Sequence, residues 1–161
     1  MQTTSLHRCC TFRVGDACFA VPADGVVEVL RAGRVTGVPR APAGVLGLVH
    51  LRGRIVPVVD PAGTLGIDRP PPQRATHLVI ALEDDWYGLV IDEMLDVVEI
   101  PGEAIEQATE HGGEAGSDAL TGVYAAPDRL VHLLDPWCMI HSLTRPTPQS
   151  FERQGAFHGR S

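Results

Sequence analysis

Gly44 to Pro61 reads GVLGLVHLRGRIVPVVDP, and the fold follows from how these residues are read. Two short aliphatic runs, Val45 to Val49 and Ile55 to Val59, flank His50-Leu51-Arg52-Gly53, and the second run ends in Asp60-Pro61. Val and Ile fit a pleated, half-buried surface, and a glycine at the break lets the chain reverse. The stretch therefore predicts two strands joined by a tight basic turn. Gly53 is the one residue of that turn that takes φ > 0 freely, and Arg52 and Arg54 flank it. Asp is a strong helix cap and Pro suits the first helical position, so Asp60-Pro61 should end the strand and open a short helix, Pro61 to Leu65, stopped by Gly66.

Upstream, CTFRVGDACFAV from Cys10 to Val21 reads as two short strands about Gly15-Asp16, and Val26 to Leu30 as another apolar strand interrupted by Glu28. Arg31 to Arg40, with Pro39 and Pro42, reads as a connection, and Ala43 to Leu48 as a segment able to start as a helical turn. Residues 1 to 9 are polar and predict a frayed end. Downstream, Arg69-Pro70-Pro71-Pro72 reads as a linker. His77 to Leu82 and Trp86 to Ile91 then form a second strand pair about Glu83-Asp84-Asp85, followed by a strand Val97 to Ile100. Thr109 to Ser117 has no periodicity and predicts a mobile loop. Leu120 to Ala125 and Arg129 to Leu134 make a last hairpin, which again ends in Asp-Pro, Asp135-Pro136, before a helix Trp137 to Leu143. The residues from Arg145 onward, with isolated Phe151 and Phe157, read as a disordered tail.

The two halves are copies. Moving Phe19 to Val29 forward by 68 positions puts Phe19 on Tyr87, Val21 on Leu89, Asp24 on Asp92, Val26 on Met94, Glu28 on Asp96 and Val29 on Val97. Moving Gly47 to Pro61 forward by 75 puts Gly47 on Gly122, Arg54 on Arg129, Val56 on Val131 and Asp60-Pro61 on Asp135-Pro136. A repeated strand-rich unit of this size predicts two similar small barrels, each of about five strands with one short helix, packed on each other because neither buries much apolar area alone.

Composition narrows the function. The 161 residues carry 20 acidic against 13 basic side chains, a formal net charge of −7, which disfavours nucleic acid, although Arg31, Arg34, Arg40, Arg52 and Arg54 crowd the first half. No apolar run approaches a membrane span and the first residues hold no hydrophobic signal region, which predicts a soluble, cytoplasmic protein. Cys9, Cys10, Cys18 and Cys138 show no CxxC spacing, so neither a disulfide framework nor a metal site from His7, Cys9 and Cys10 is expected. The histidines are scattered, and no nucleophile elbow or phosphate-binding glycine loop is present. The expectation is no catalytic centre and no cofactor.

In order along the chain, F-x-V-G-D from Phe12, V-x-E-V-L from Val26, A-P-A-G-V-L-G from Ala41, H-L-R-G-R-I-V-P-V-V-D from His50, G-L-V-I-D-E-M-L-D-V from Gly88, L-T-G-V from Leu120 and L-L-D-P from Leu133 resemble the CheW family. Members of that family are adaptors that couple chemoreceptors to the histidine kinase CheA. The resemblance implies two intertwined SH3-like barrels, mainly β, within one domain spanning 10–143, with subdomains near 10–68 and 75–143 and flexible ends at 1–9 and 144–161. It implies no catalysis and no cofactor, and as partners the CheA regulatory domain and a chemoreceptor signalling tip, at receptor arrays, with neither nucleic acid nor insertion into the membrane. An adaptor of a related pathway with another output, such as twitching motility, fits equally, and a nucleic-acid-binding barrel is the alternative from another class.

Carried over by motif, the binding residues are Val26, Glu28, Leu46, Gly47, Arg52 and Gly53. Arg52 has two physical roles open to it: a five-donor fork for carboxylates or carbonyls of a partner, or a brace for its own hairpin. Glu28 likewise reads either as a partner contact or as a solvated outward residue. His50 stands where the family usually has Asn, and His111-Gly112-Gly113 where members tend to carry an apolar residue, which puts a ring-closing contact in doubt.

Overall fold

The structure is a computed structural model that describes residues 5–31, 33–70, 72, 75–107 and 119–144. The strands are β1 (Leu6–Val14), β2 (Ala17–Pro22), β3 (Val26–Arg31), β4 (Val45–Leu51), β5 (Arg54–Val59), β6 (Thr76–Leu82), β7 (Asp85–Ile91), β8 (Glu93–Pro101), β9 (Ile105–Gln107), β10 (Leu120–Ala125) and β11 (Leu130–Leu134), followed by the helix α1 (Pro136–Thr144). They form a six-stranded sheet in the order β8-β1-β2-β11-β10-β9 and a five-stranded sheet in the order β3-β6-β7-β5-β4.

Neither sheet is confined to one half of the chain. The third strand of each copy crosses to the first strand of the other, β3 onto β6 and β8 onto β1. The last strand of each copy lies parallel to the second strand of the other, β5 beside β7 and β11 beside β2. Each sheet then curls on itself. The chain leaving edge strand β8 returns as β9 on the far edge, against β10, and the chain leaving β3 returns to the edge of β4 through a bridge between Thr36 and Leu48. These are the two small β barrels predicted by the repeat.

One core lies between the sheets. Phe12, Leu78, Ile80, Leu89, Ile91 and Met139 are all fully buried there, so β1, β6, β7 and α1 contribute to the same interior. A smaller cluster of Cys9, Cys18, Ala20, Ile100, Val131 and Leu133 belongs to the six-stranded sheet alone. Ladder irregularities recur at matching places, between Cys10 and Phe12 in β1 and between Val26 and Glu28 in β3. In β1 the break is healed by a side chain: buried Thr11 Oγ1 donates to Asp96 O at 2.7 Å and accepts from Asp96 N at 2.9 Å.

Several expectations are corrected. Leu6 to Cys9 are not frayed; they extend β1 and pair with β8, and Cys9 is buried. The pairing partner, residues 98–101 of β8, cannot be seen from the N-terminal residues themselves. The short helix expected after Asp60 amounts to a single turn, in which Leu65 N–H donates to Pro61 O, before Ile67 N–H reaches back to Ala62 O. The strand expected at Val97 begins at Glu93, and β9 was not expected at all. The expected loop Thr109 to Ser117, including His111-Gly112-Gly113, and the tail from Arg145 lie outside the described residues.

Candidate functional site

The Leu51–Arg54 turn is the tip of the β4–β5 hairpin. Arg52 sits at φ 52° and Gly53 at φ 77°, both left-handed, the pattern of a two-residue hairpin turn whose twist matches its strands. Gly53 was expected there; an arginine in the same conformation was not, and such a residue costs about 1–2 kcal/mol relative to one in an ordinary region. Asn or Gly would relieve that cost, so the fold by itself does not call for arginine.

The tip reaches across the barrel seam. Arg52 Nε stands 3.1 Å from Glu28 Oε1, joining the β4–β5 turn to β3, the strand at the opposite edge of the same sheet. The Arg52 side chain is 65% exposed and the Glu28 side chain 25%. Glu28 Oε1 has no aligned hydrogen bond among the described residues, so the contact is an ion pair and not a locked hydrogen-bonded fork. An exposed pair of this kind contributes about 0–1 kcal/mol. Most of the Arg52 donor fork therefore faces outward.

The other expected residues divide by role. Val26 is half-buried against the shared core. Gly47 is buried because the returning chain crosses it: a Cβ there would collide with the Thr36 carbonyl, while Thr36 N–H donates to Leu48 O at 2.9 Å and Leu48 N–H to Thr36 O at 2.8 Å. Gly122, its repeat partner, is crossed in the same way by β9, with Glu106 O 2.9 Å from where a Cβ would stand. Gly47 is thus a packing residue, and the sequence offset of 75 reflects that shared requirement. Leu46, next to it, is 43% exposed on β4. His50 is exposed and pairs in register with Ile55.

Sequence reasoning missed two features. Exposed apolar side chains fall at repeat-related positions, Val29 with Val97 and Ile55 with Leu130; the signal was present as outward register positions filled by aliphatic residues. The second is an interior ion network. Arg69, read as part of a linker, donates to Asp60 Oδ2 at 3.1 Å and Oδ1 at 3.2 Å, and its Nε lies 3.1 Å from Asp92 Oδ1. Asp92 Oδ2 in turn accepts from Gly15 N–H. No local pattern announces a contact between residues so far apart in the chain.

At the matching arginines the copies diverge. Arg54 donates to Asp84 O at 2.9 Å and stacks 4.4 Å over the Trp86 ring, whereas Arg129 pairs with its neighbour Asp128 at 2.8 Å, a contact that lowers the carboxyl pKa of Asp128. Burial pushes up the Cys9, Cys10 and Cys18 thiols, so they are poor thiolates. Among the described residues no group of three His, Cys, Asp or Glu side chains is arranged to hold a metal ion, and no helix is long and apolar enough to cross a membrane. What the arrangement offers is an exposed guanidinium and aliphatic side chains on a rigid β scaffold, which is recognition chemistry.

Comparison with known proteins agrees with that chemistry. A family model described as a CheW-like domain matches residues 8–144. Protein FrzA of Myxococcus xanthus is 35% identical over 116 residues, covering 71% of this chain and 72% of that protein. A probable chemotaxis protein CheW of Rhizobium etli is 29% identical over 126 residues, covering 77% and 81%. The crystal structure of the scaffolding protein TtCheW from Thermoanaerobacter tengcongensis superposes with a TM-score of 0.73 over 84% of this chain and 88% of that one, at 19% identity.

Proposed function

The chain belongs to the CheW-like domain family, and from that premise we propose that it is a non-catalytic adaptor coupling chemoreceptors to the histidine kinase CheA in bacterial chemotaxis. The family match over nearly the whole described chain is the observation that carries this reading. In it, residues 10–143 act as one domain, the CheA regulatory domain and a receptor signalling tip are the partners, and the protein works in the cytoplasm at receptor arrays.

The binding surface we assign is the β4–β5 tip with the adjoining edge of β3: Arg52 and Glu28 as the charged pair, Leu46 as an exposed apolar contact, and Gly53 as the residue that permits the turn. Val26 and Gly47 support that surface from within. A left-handed arginine held at an exposed tip, where a relaxed residue would serve the fold better, is what a recognition role predicts.

The test is co-sedimentation of the purified chain with a CheA regulatory domain and with a receptor signalling tip. Binding to both is expected; binding to neither overturns the adaptor reading. Arg52→Ala should weaken binding by about tenfold or more, equivalent to about 1.4 kcal/mol, with the fold retained. Unfolding of that variant would assign Arg52 to bracing instead. An adaptor of a chemotaxis-like pathway with another output shares this surface, and the motility phenotype of a deletion strain, swimming against surface movement, separates the two.

A further inference from the structure

The repeat places different side chains at one matched position of the two sheets. Leu133 stands opposite Ala20 as Val58 stands opposite Gly88, so the offsets of 75 and 68 hold in the strand pairing as well as in the sequence. By those offsets Trp86 answers to Cys18, Arg54 to Arg129, Asp84 to Asp16 and Ala81 to Arg13. In the five-stranded sheet the position is filled. Trp86 is half-buried with Ala81 as its cross-strand neighbour, and Arg54 lies 4.4 Å over the indole while donating to Asp84 O at 2.9 Å.

In the six-stranded sheet it is open. Cys18 stands where the indole would be, and Arg13, Ala17, Cys18, Leu95, Arg129 and Leu130 line a cavity of about 520 Å³ among the described residues. Arg13 walls this space without filling it. Its register partner across the hairpin is Cys18, yet its guanidinium is drawn to Gly15 O at 2.7 Å and to Glu93 at 3.4 Å on β8, the neighbour of β1 on the side away from β2.

We propose that this cavity binds a planar, uncharged aromatic molecule of indole size, held beneath Arg129 and over Cys18 as the Trp86 ring is held beneath Arg54. The volume falls in the range of small-molecule sites. Its floor is apolar, because Cys18 belongs to the cluster of Ala20, Val131 and Leu133, with Leu95 packed against it. Burial keeps the Cys18 thiol protonated, so the floor presents a neutral, polarizable sulfur to the ring. The arginines argue against an ionic ligand, since Arg13 is already paired with Glu93 and Arg129 with Asp128. A guanidinium hydrogen-bonds through its edge and stacks through its face, so Arg129 can keep Asp128 and cover a ring at once. Leu130, 58% exposed at the rim, supplies apolar cover from the same hairpin.

Indole itself is the probe. Calorimetric titration of the full chain should show saturable binding at one site with a Kd of about 1 mM or tighter, the strength expected of so small a ring in a preformed pocket. The amide resonances of Ala17, Cys18 and Leu130 should shift with it. Cys18→Trp supplies the ring from the chain itself and should abolish binding. Arg129→Gln, which alters only a solvent-screened pair, should keep the fold and weaken binding about fivefold, and cyclohexanol should bind about tenfold more weakly than indole because a saturated ring offers no π face to the guanidinium. Absence of saturable indole binding overturns the proposal. So does undiminished binding in folded Cys18→Trp, equal affinity for cyclohexanol and indole, or amide shifts confined to residues outside the cavity. Should Cys18→Trp fail to fold, Arg129→Gln and the amide shifts of the parent decide by themselves.

Discussion

The β4–β5 and β10–β11 hairpins are the same element twice, and they differ where they meet solvent. Both rest on a buried glycine crossed by a returning chain, Gly47 under Thr36 and Gly122 under Glu106, and both end in an Asp that accepts a backbone N–H two residues on. At the tips they part. The first turns in two residues, with left-handed Arg52 paired to Glu28; the second turns through Ala126 to Arg129, closed by Ala126 N–H donating to Arg129 O at 2.9 Å. The repeat preserved what holds the barrel and released the turns at the hairpin tips. The released positions are therefore where the two copies can have acquired separate tasks.

That contrast can be broken most severely at the arginines. Arg69→Ala should cost about 3–5 kcal/mol in urea unfolding, because mostly buried Asp60 would lose this ion pair and Asp92 would keep, among the described residues, only the 3.9 Å ion pair with Arg13. Arg129→Ala, in a pair screened by solvent, should leave the unfolding midpoint close to that of the parent. Next come the paired glycines: Gly47→Ala and Gly122→Ala should each cost about 1–3 kcal/mol through overpacking against a backbone carbonyl. Gly47→Ala should also abolish hydrogen-exchange protection at Thr36.

A smaller effect belongs to His77, fully buried in β6 with no hydrogen-bond partner at Nδ1 among the described residues. Burial lowers its pKa below the ordinary 6.5, so as pH falls through that value the unfolded chain takes up a proton first. Its contribution is fully present above about pH 6.5 and declines below, with a slope of at most about 1.4 kcal/mol per pH unit. Thermal melts from pH 7.5 to 5 should show that slope, and His77→Leu should flatten it. Its counterpart in the first copy is Cys9, which carries no such charge change. The smallest stability effect is expected of Arg52→Asn: a relaxed turn offsets the lost ion pair, leaving stability within about 1 kcal/mol while partner binding falls. A large loss of stability would return Arg52 to the structural side of the comparison.

Much of this was legible in the sequence. Alternating aliphatic runs, Gly15-Asp16, the Arg52-Gly53 turn and the two Asp-Pro corners marked the strands, and the offsets of 68 and 75 marked the repeat. Pairing across copies was not legible, because alternation says which face of a strand is apolar and nothing about which edge it meets. For that reason β9 and the extension of β1 through Leu6 went unseen. Glu28 was read as a contact or a solvated residue, and the structure makes it the ion partner of Arg52. Arg69 was hidden by its prolines, since an interior ion pair between distant residues leaves no periodic trace.

Strand exchange has a consequence for synthesis. The five-stranded sheet is built from one continuous stretch, β3 through β7, and can close as soon as Ile91 has emerged. The other sheet cannot. Its hairpin β1–β2 is made first, yet the strand that lies beside β2 begins at Leu130, on the order of 100 residues later, which at ribosomal speed is a wait of about 5–20 s. Through that interval the edge of β2 stands open to other chains. The nascent protein is thus most vulnerable to mispairing at its oldest residues, and the last strand made is the one that seals them.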